Sequence, residues 1–183
     1  DSGVYFKSPL DGKSLFLGPK ESIRIQEKLG ADIIFAFDEC PPPFASLEYA
    51  KKSLEKTHAW AKVCLSAKKS KQALFGIIQG GKYKELRIES AKFISSLDFD
   101  GFGIGGEFGN DKETMEKMLN WTIKELPEQK PRHLLGIGYL EDIPRVIRSG
   151  VDTFDCIVPT RFARHNIVFT SVGRLDLSKT KFL

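Results

Sequence analysis

Along most of this chain, short apolar runs alternate with longer stretches whose apolar positions recur three and four residues apart. The runs lie within "DIIFAFDEC" (32–40), "ALFGIIQGG" (73–81), "GFGIGG" (101–106), "HLLGIG" (133–138) and "TFDCIV" (153–158). Each has the length and apolar content of a strand buried on both faces. Between them, 20–29, 82–97, 111–126 and 140–149 carry the helical period, as does a long amphipathic stretch with Leu47, Ala50, Leu54, Ala61 and Leu65 on one face. Gly30 and Gly150 are placed to end helices, and Asn110 or Asp111 to cap one. At the start, "VYFKSPLDGKSLFL" (4–17) has two alternating runs around Pro9, Asp11 and Gly12, the signature of a hairpin.

Strands alternating with helices imply parallel pairing through right-handed crossovers, hence an α/β fold. No G-x-G-x-x-G opens a helix with an acid downstream, which argues against a dinucleotide fold. The five runs cannot close a barrel, because closure ties strand number to tilt and stagger. The chain is therefore a portion of a larger barrel or an open α/β sheet. Of its 183 residues 41% are hydrophobic and 28% charged, a globular composition with room for one core. A net charge of +4 permits an acidic partner without demanding one. No signal peptide stands out, and "IIFAF" is far too short to span a bilayer, so no membrane role is expected. Cys40, Cys64 and Cys156 lie far apart without a Cys-x-x-Cys, as reduced cysteines of a cytoplasmic protein do.

The chemistry gathers at the strand ends. Asp38, Cys40, Gln79, the Gly105–Gly106 pair, Gly136 and Asp155 all follow apolar runs. In a (β/α) barrel the C-terminal strand ends are where sites are built. Two carboxylates at one end of a sheet suit acid–base or nucleophilic work at a sugar. A Gln amide suits the edge of a planar base, and paired glycines let a flat ligand approach backbone N–H groups. Arg161 and Arg164, after Pro159, have the spacing of a phosphate clamp on a loop. Cys40 and Cys156 fit small buried residues better than nucleophiles, and His58 and His133 fit structural roles. Asp32 and Asp152, at the opposite strand ends, fit turn chemistry. The residues alone thus point to a barrel enzyme handling a sugar, base or phosphate.

Taken in order, "FKSPLDG", "LGADIIFAFDECPPP", "THAWAKVCL", "LFGIIQGG", "GFGIGGEFG", "PRHLLGIG" and "GVDTFDCIVPTRFAR" resemble the tRNA-guanine transglycosylase (queuine tRNA-ribosyltransferase) family. The "FDEC" form resembles the bacterial branch. That resemblance implies a (β/α)8 TIM barrel, with residues 1–18 as a hairpin insertion and 19–183 as the C-terminal part of the barrel. It implies exchange of the wobble guanine of tRNA for a 7-deazaguanine precursor of queuosine. Asp155 matches the nucleophile, which forms a covalent bond to ribose. Asp38 matches the acid that reads the N–H edge of the base. Gln79 and the Gly106 N–H match the groups that read its carbonyl, with Gly105 and Cys40 in the same set. Leu135, Gly136 and Ile137 line the pocket by analogy, and Arg161 and Arg164 match residues that grip the anticodon loop.

The chain departs from the family pattern at Glu107, where Leu usually follows the Gly-Gly pair, and at Tyr139, often Lys. "RHN" replaces Arg-Asn-Gly, although Asn166 can adopt the left-handed backbone that Gly would supply. The implied partners are the tRNA anticodon loop, guanine or its 7-deaza analogue, and a second subunit in a homodimer. No cofactor is expected within this chain. The family's structural zinc belongs to a C-terminal segment expected after Leu183, and its general acid/base Asp to upstream strands. Asp1-Ser2-Gly3 fits an acidic turn before the hairpin better than that Asp motif. The competing readings are a non-catalytic tRNA-binding partner subunit of the same family and an unrelated phosphate-binding barrel enzyme.

Overall fold

The structure, a computed structural model, describes residues 2–108 and 111–179. Asp1 and Asn110, named above in an acidic turn and as a helix cap, lie outside the described residues. The chain begins with the expected antiparallel hairpin, β1 (Val4–Lys7) and β2 (Ser14–Leu17), with Val4 opposite Leu17. Strands and helices then alternate: α1 (Pro19–Leu29), β3 (Ile33–Phe35), α2 (Leu47–Ala67), β4 (Ala73–Ile78), α3 (Lys84–Ser95), β5 (Gly101–Ile104), α4 (Lys112–Ile123), β6 (Arg132–Leu134), α5 (Ile143–Arg148) and β7 (Thr153–Phe154).

The helix ends follow local chemistry. Pro19 stands in the first turn of α1, and Gly30 ends it in the left-handed region at φ 76°. The Ser46 hydroxyl accepts the Tyr49 N–H to cap α2, and the Asp111 carboxylate accepts the Thr114 N–H to cap α4.

β3, β4, β5, β6 and β7 form one sheet in chain order, every neighbouring pair parallel. Each strand therefore lies beside its predecessor, and the sheet curls as a five-stranded half-barrel of the (β/α)8 kind. Its helix-facing layer is dry. Ile34, Leu74, Ile78, Phe102, Ile104 and Leu134 from the strands pack with Ile23, Ala61, Ile94, Met118 and Leu119 from the helices, all nearly inaccessible. Burying each of the larger of these side chains contributes about 1.5–3 kcal/mol, which holds the register of the sheet and with it the height of its loops.

Two features depart from the sequence expectation. The strands are shorter than the apolar runs, so Asp38 and Asp155 lie beyond β3 and β7, on the loops that follow. And the segment after Asp155 is not a loop. Val158–Arg164 form a helix, α6, with Pro159 in its first turn and Arg161 N–H donating to the Ile157 carbonyl (2.8 Å). Arg161 and Arg164 thus stand on a helix, held down by buried Val158. A second hairpin follows, β8 (Ile167–Thr170) with β9 (Gly173–Asp176), entered through Asn166 at φ 58°. Phe162 and Phe169 meet edge-to-face at 5.3 Å, and the Arg174 guanidinium lies 5.2 Å from the Phe162 ring. Among the described residues no helix is long and apolar enough to cross a membrane.

Candidate active site

Asp38 is held by the helix behind it. On one side the Phe37 N–H donates to Cys64 Sγ (3.2 Å), and on the other the Glu39 N–H donates to Thr57 Oγ1 (3.0 Å). Ser53 Oγ adds a bond to the Glu39 carbonyl at 2.8 Å. Three side chains of α2 therefore anchor the backbone around the carboxylate. Gln79 Nε2 donates to Asp38 Oδ2 at 2.7 Å. Burial raises the Asp38 carboxyl above its usual pKa, against the opposing effect of that Gln79 hydrogen bond.

Gln79 is 2% exposed, and its own N–H donates to Ser90 Oγ at 3.1 Å. Its Oε1 is buried without a hydrogen-bond partner among the described residues. Gly105 and Gly106 press on the same amide: a Cβ on Gly105 would stand 2.7 Å from Gln79 Nε2, and one on Gly106 2.9 Å from Oε1. Leu135 Cδ1 comes within 3.5 Å of that Gly105 position. The fold thus gathers a carboxylate, an amide, two glycine peptides and an apolar wall. That set matches a flat heterocycle carrying N–H donors beside a carbonyl.

Asp155 forms a second cluster. Its Oδ1 accepts the Gly136 N–H at 3.0 Å and lies 3.2 Å from His133 Nε2. The other ring nitrogen, Nδ1, is 2.9 Å from Thr153 Oγ1. Both contacts are satisfied when the Thr153 hydroxyl donates to Nδ1 and the Nε2–H donates to the carboxylate; the other tautomer would set a lone pair against an anion. Two donors thus converge on Oδ1, while Oδ2 meets no hydrogen-bond partner among the described residues. The side chain is 57% exposed. Gly136 holds φ 74°, the left-handed backbone that presents its N–H to Asp155.

The sequence reading of His133 as a merely structural residue therefore misses its contact with Asp155. The register supplies it: His133 pairs with Thr153 across β6 and β7, and Asp155 lies two residues further on the same face. Cys40 is exposed and Cys156 half-buried, so of the three cysteines only Cys64 is buried. Asp152, expected as a turn residue, instead reaches across to the neighbouring strand, its Oδ2 accepting the N–H of Arg132 at the start of β6 (2.8 Å).

A family profile described as "Queuine tRNA-ribosyltransferase" matches residues 1–183. The chain belongs to the queuine tRNA-ribosyltransferase family. It is 48% identical over 182 residues to a protein of Archaeoglobus fulgidus named "Putative queuine tRNA-ribosyltransferase", covering 100% of this chain and 45% of that relative. It is 50% identical over 179 residues to the "Queuine tRNA-ribosyltransferase" of Halothermothrix orenii (97% of this chain, 48% of the relative). Against the Bacillus subtilis protein of that name it is 47% identical over 185 residues, covering 100% of this chain and 49% of the relative. The chain spans about half the length of the curated relatives it matches.

In this member of the queuine tRNA-ribosyltransferase family, a cavity of about 400 Å³ opens beside Gly106, lined also by Glu107, Phe108, Met115, Ile137 and Tyr139. Glu107, directly after the Gly105–Gly106 pair, thus lines the space next to Gly106. A second cavity, of about 260 Å³, lies between Tyr139, Arg161, Phe162, His165 and Ile167, on the α6 side. Arg161 and Arg164 are exposed there. Among the described residues no group of three or more His, Cys, Asp or Glu side chains is arranged to hold a metal ion. The structural zinc implied by the resemblance does not fit any of them.

Proposed function

We propose that this chain supplies the base-reading groups and the nucleophile of a tRNA-guanine transglycosylase. The observation that carries the reading is the state of Asp155: one carboxylate oxygen is fixed by two donors and the other is free. A carboxylate held in this way is oriented for in-line attack and loses little freedom in doing so.

In the first step Asp155 Oδ2 bonds to C1′ of the wobble nucleotide. The C1′–N9 bond breaks, and its electron pair leaves with guanine, which takes up one proton. The incoming 7-deazaguanine then attacks C1′ through its ring nitrogen and gives up one proton. Its bond replaces the Asp155–C1′ ester and returns the carboxylate. Protons and charge balance over the exchange, with no redox change. Asp38 accepts from the N–H edge of the base, while the Gln79 amide and the Gly106 N–H address its carbonyl. The Gly105 backbone, Leu135, Ile137 and Cys40 complete the pocket. Gly136 and His133 hold the nucleophile. The target nucleotide must leave its stack to reach a residue at a strand end, so the anticodon loop lies across the mouth, against Arg161 and Arg164.

The full-length enzyme is a cytoplasmic homodimer on this reading, and its zinc lies in a segment other than these residues. The test is incorporation of labelled guanine into tRNA by the native gene product. We expect robust exchange, lost by at least about a thousandfold in Asp155→Asn, the order seen on removing a group essential to covalent catalysis, with tRNA affinity retained. Exchange by the Asn variant at the wild-type rate, with deamidation excluded by mass, contradicts the reading.

A further inference from the structure

Arg87 is the largest fully buried side chain of the described residues, at 0% exposure. It lies on α3 and meets no carboxylate within ion-pair distance among the described residues. Its hydrogen-bond partners are backbone carbonyls. Nε donates to Gly81 O (2.6 Å), Nη1 to Gly105 O (3.3 Å) and Nη2 to Glu107 O (2.8 Å). The guanidinium also lies 4.6 Å from the ring centre of Phe108. Burial lowers its pKa to about 10, which leaves it charged at neutral pH. Burying a cation with no carboxylate beside it is costly even when carbonyls accept its hydrogen bonds, and a methionine side chain would avoid that cost. Some function must offset it.

The peptide geometry indicates which. Gly105 O and the Gly106 N–H belong to one planar, trans peptide unit, so they point in opposite directions. When Arg87 draws the carbonyl back toward α3, the N–H is turned away from α3, past the Gln79 amide. The second bond, to Glu107 O, pins the 107–108 peptide as well, so the chain is held on both sides of Gly106, which keeps its φ of 91°. The third bond, to Gly81 O, ties this loop to the one carrying Gln79. A cation hydrogen-bonded to the carbonyl also polarises the peptide and makes its N–H a stronger donor.

We propose that Arg87 is the positioning residue of base recognition: from behind the pocket it aims and strengthens the Gly106 N–H for the exocyclic oxygen of a 6-oxopurine. It touches neither base nor ribose. The proposal rests on the transglycosylase reading, and its test keeps the two apart.

The experiment measures binding of guanine and of 6-thioguanine, which keeps the N1–H and 2-amino groups but carries sulfur, a weak acceptor, in place of the 6-oxygen, to the native gene product and its variants. Wild-type protein should prefer guanine by about tenfold or more, the order one hydrogen bond to an otherwise stranded donor produces. A wild type that binds neither base, or both alike, contradicts the transglycosylase reading before Arg87 is altered. In Arg87→Met the preference should fall to within about twofold of unity, because the aimed donor is what distinguishes the two bases. A merely structural role would weaken both bases equally and leave the ratio at the wild-type value, which overturns the proposal. If the Met variant does not fold, Arg87→Lys decides in the same assay. Lysine keeps the charge but cannot span three carbonyls as a planar fork does. A clear drop in the ratio supports the proposal, and an unchanged ratio overturns it. Failure of both variants to fold also overturns it, since Arg87 would then serve the fold and not the base.

Discussion

If Asp38 reads a base, as proposed, it does so at the expense of the empty protein. Burial raises its pKa, so the ionised form that suits a base N–H edge is the form the free pocket disfavours. The sign follows: the neutral acid's contribution to stability is fully present below about pH 3.8, the ordinary value, and is lost as pH rises through the higher folded value. Asp38→Asn keeps a hydrogen-bond acceptor for Gln79 and carries no charge. It should therefore raise the thermal midpoint at pH 7 relative to wild type, with the gain shrinking as the pH approaches 4. Guanine should then raise the midpoint of wild type and not of the variant. A variant less stable than wild type at pH 7 would show that the charge is compensated in the empty pocket.

The neighbouring cluster gives a second residue-scale prediction. His133→Phe keeps the ring but removes the donor to Asp155, so kcat should fall about tenfold, roughly the weight of one hydrogen bond to a charged group, with KM for tRNA little changed. An unchanged kcat would leave His133 as packing against Phe35. Asp38, Gln79 and Asp155 were legible in sequence because a polar side chain ending an apolar run is unusual. His133 was not, because its role depends on which residue β7 places beside it. Arg87 had a legible signal that the reading passed over. It sits three, four and seven positions before Ser90, Ala91 and Ile94, a charge within the buried stripe of α3.

The element scale is where pattern and structure agree most closely. The first hairpin, five strands and five helices fall where alternation and helical period place them, since each must bury one face against the shared core. The boundaries moved inward. β7 keeps only Thr153 and Phe154 because the chain turns at once to present Asp155 and enter α6. α6 and the β8–β9 hairpin went unread, although Pro159 could open a helix and "IVFT" before Gly173 is a strand signal. A helix this short has too few turns to show a period. Its consequence for binding is direct: Arg161 and Arg164 project from a fixed backbone beside the aromatic–arginine stack of Phe162, Phe169 and Arg174. Replacing both by Ala should weaken tRNA binding and flatten its dependence on salt by about one to two units, at roughly 0.7 per single-strand phosphate contact. Guanine affinity should be spared. An unchanged salt slope would remove these arginines from recognition.

At the scale of the whole molecule, five parallel strands present every loop at their C-terminal ends to one rim, and both clusters lie there. β3 and β7 are the edges of this sheet among the described residues, and the curated relatives are about twice as long. In-order parallel pairing brings Asp38, Gln79, Gly106, Gly136 and Asp155 from five successive loops to one rim, a convergence that the alternation of strands and helices made legible before any distance was known. The half-barrel brings the Asp38–Gln79–Gly106 cluster and the held Asp155 carboxylate to the same rim, and on the proposed reading this carboxylate carries the ribose during exchange. The most direct measurement is to denature the native gene product during turnover with tRNA, digest it and identify the modified peptide by mass. The account predicts a ribose-linked tRNA fragment on the peptide containing Asp155, present in wild type and absent in Asp155→Asn. An adduct on a different carboxylate, or steady turnover with the Asp155 peptide never modified, would contradict it.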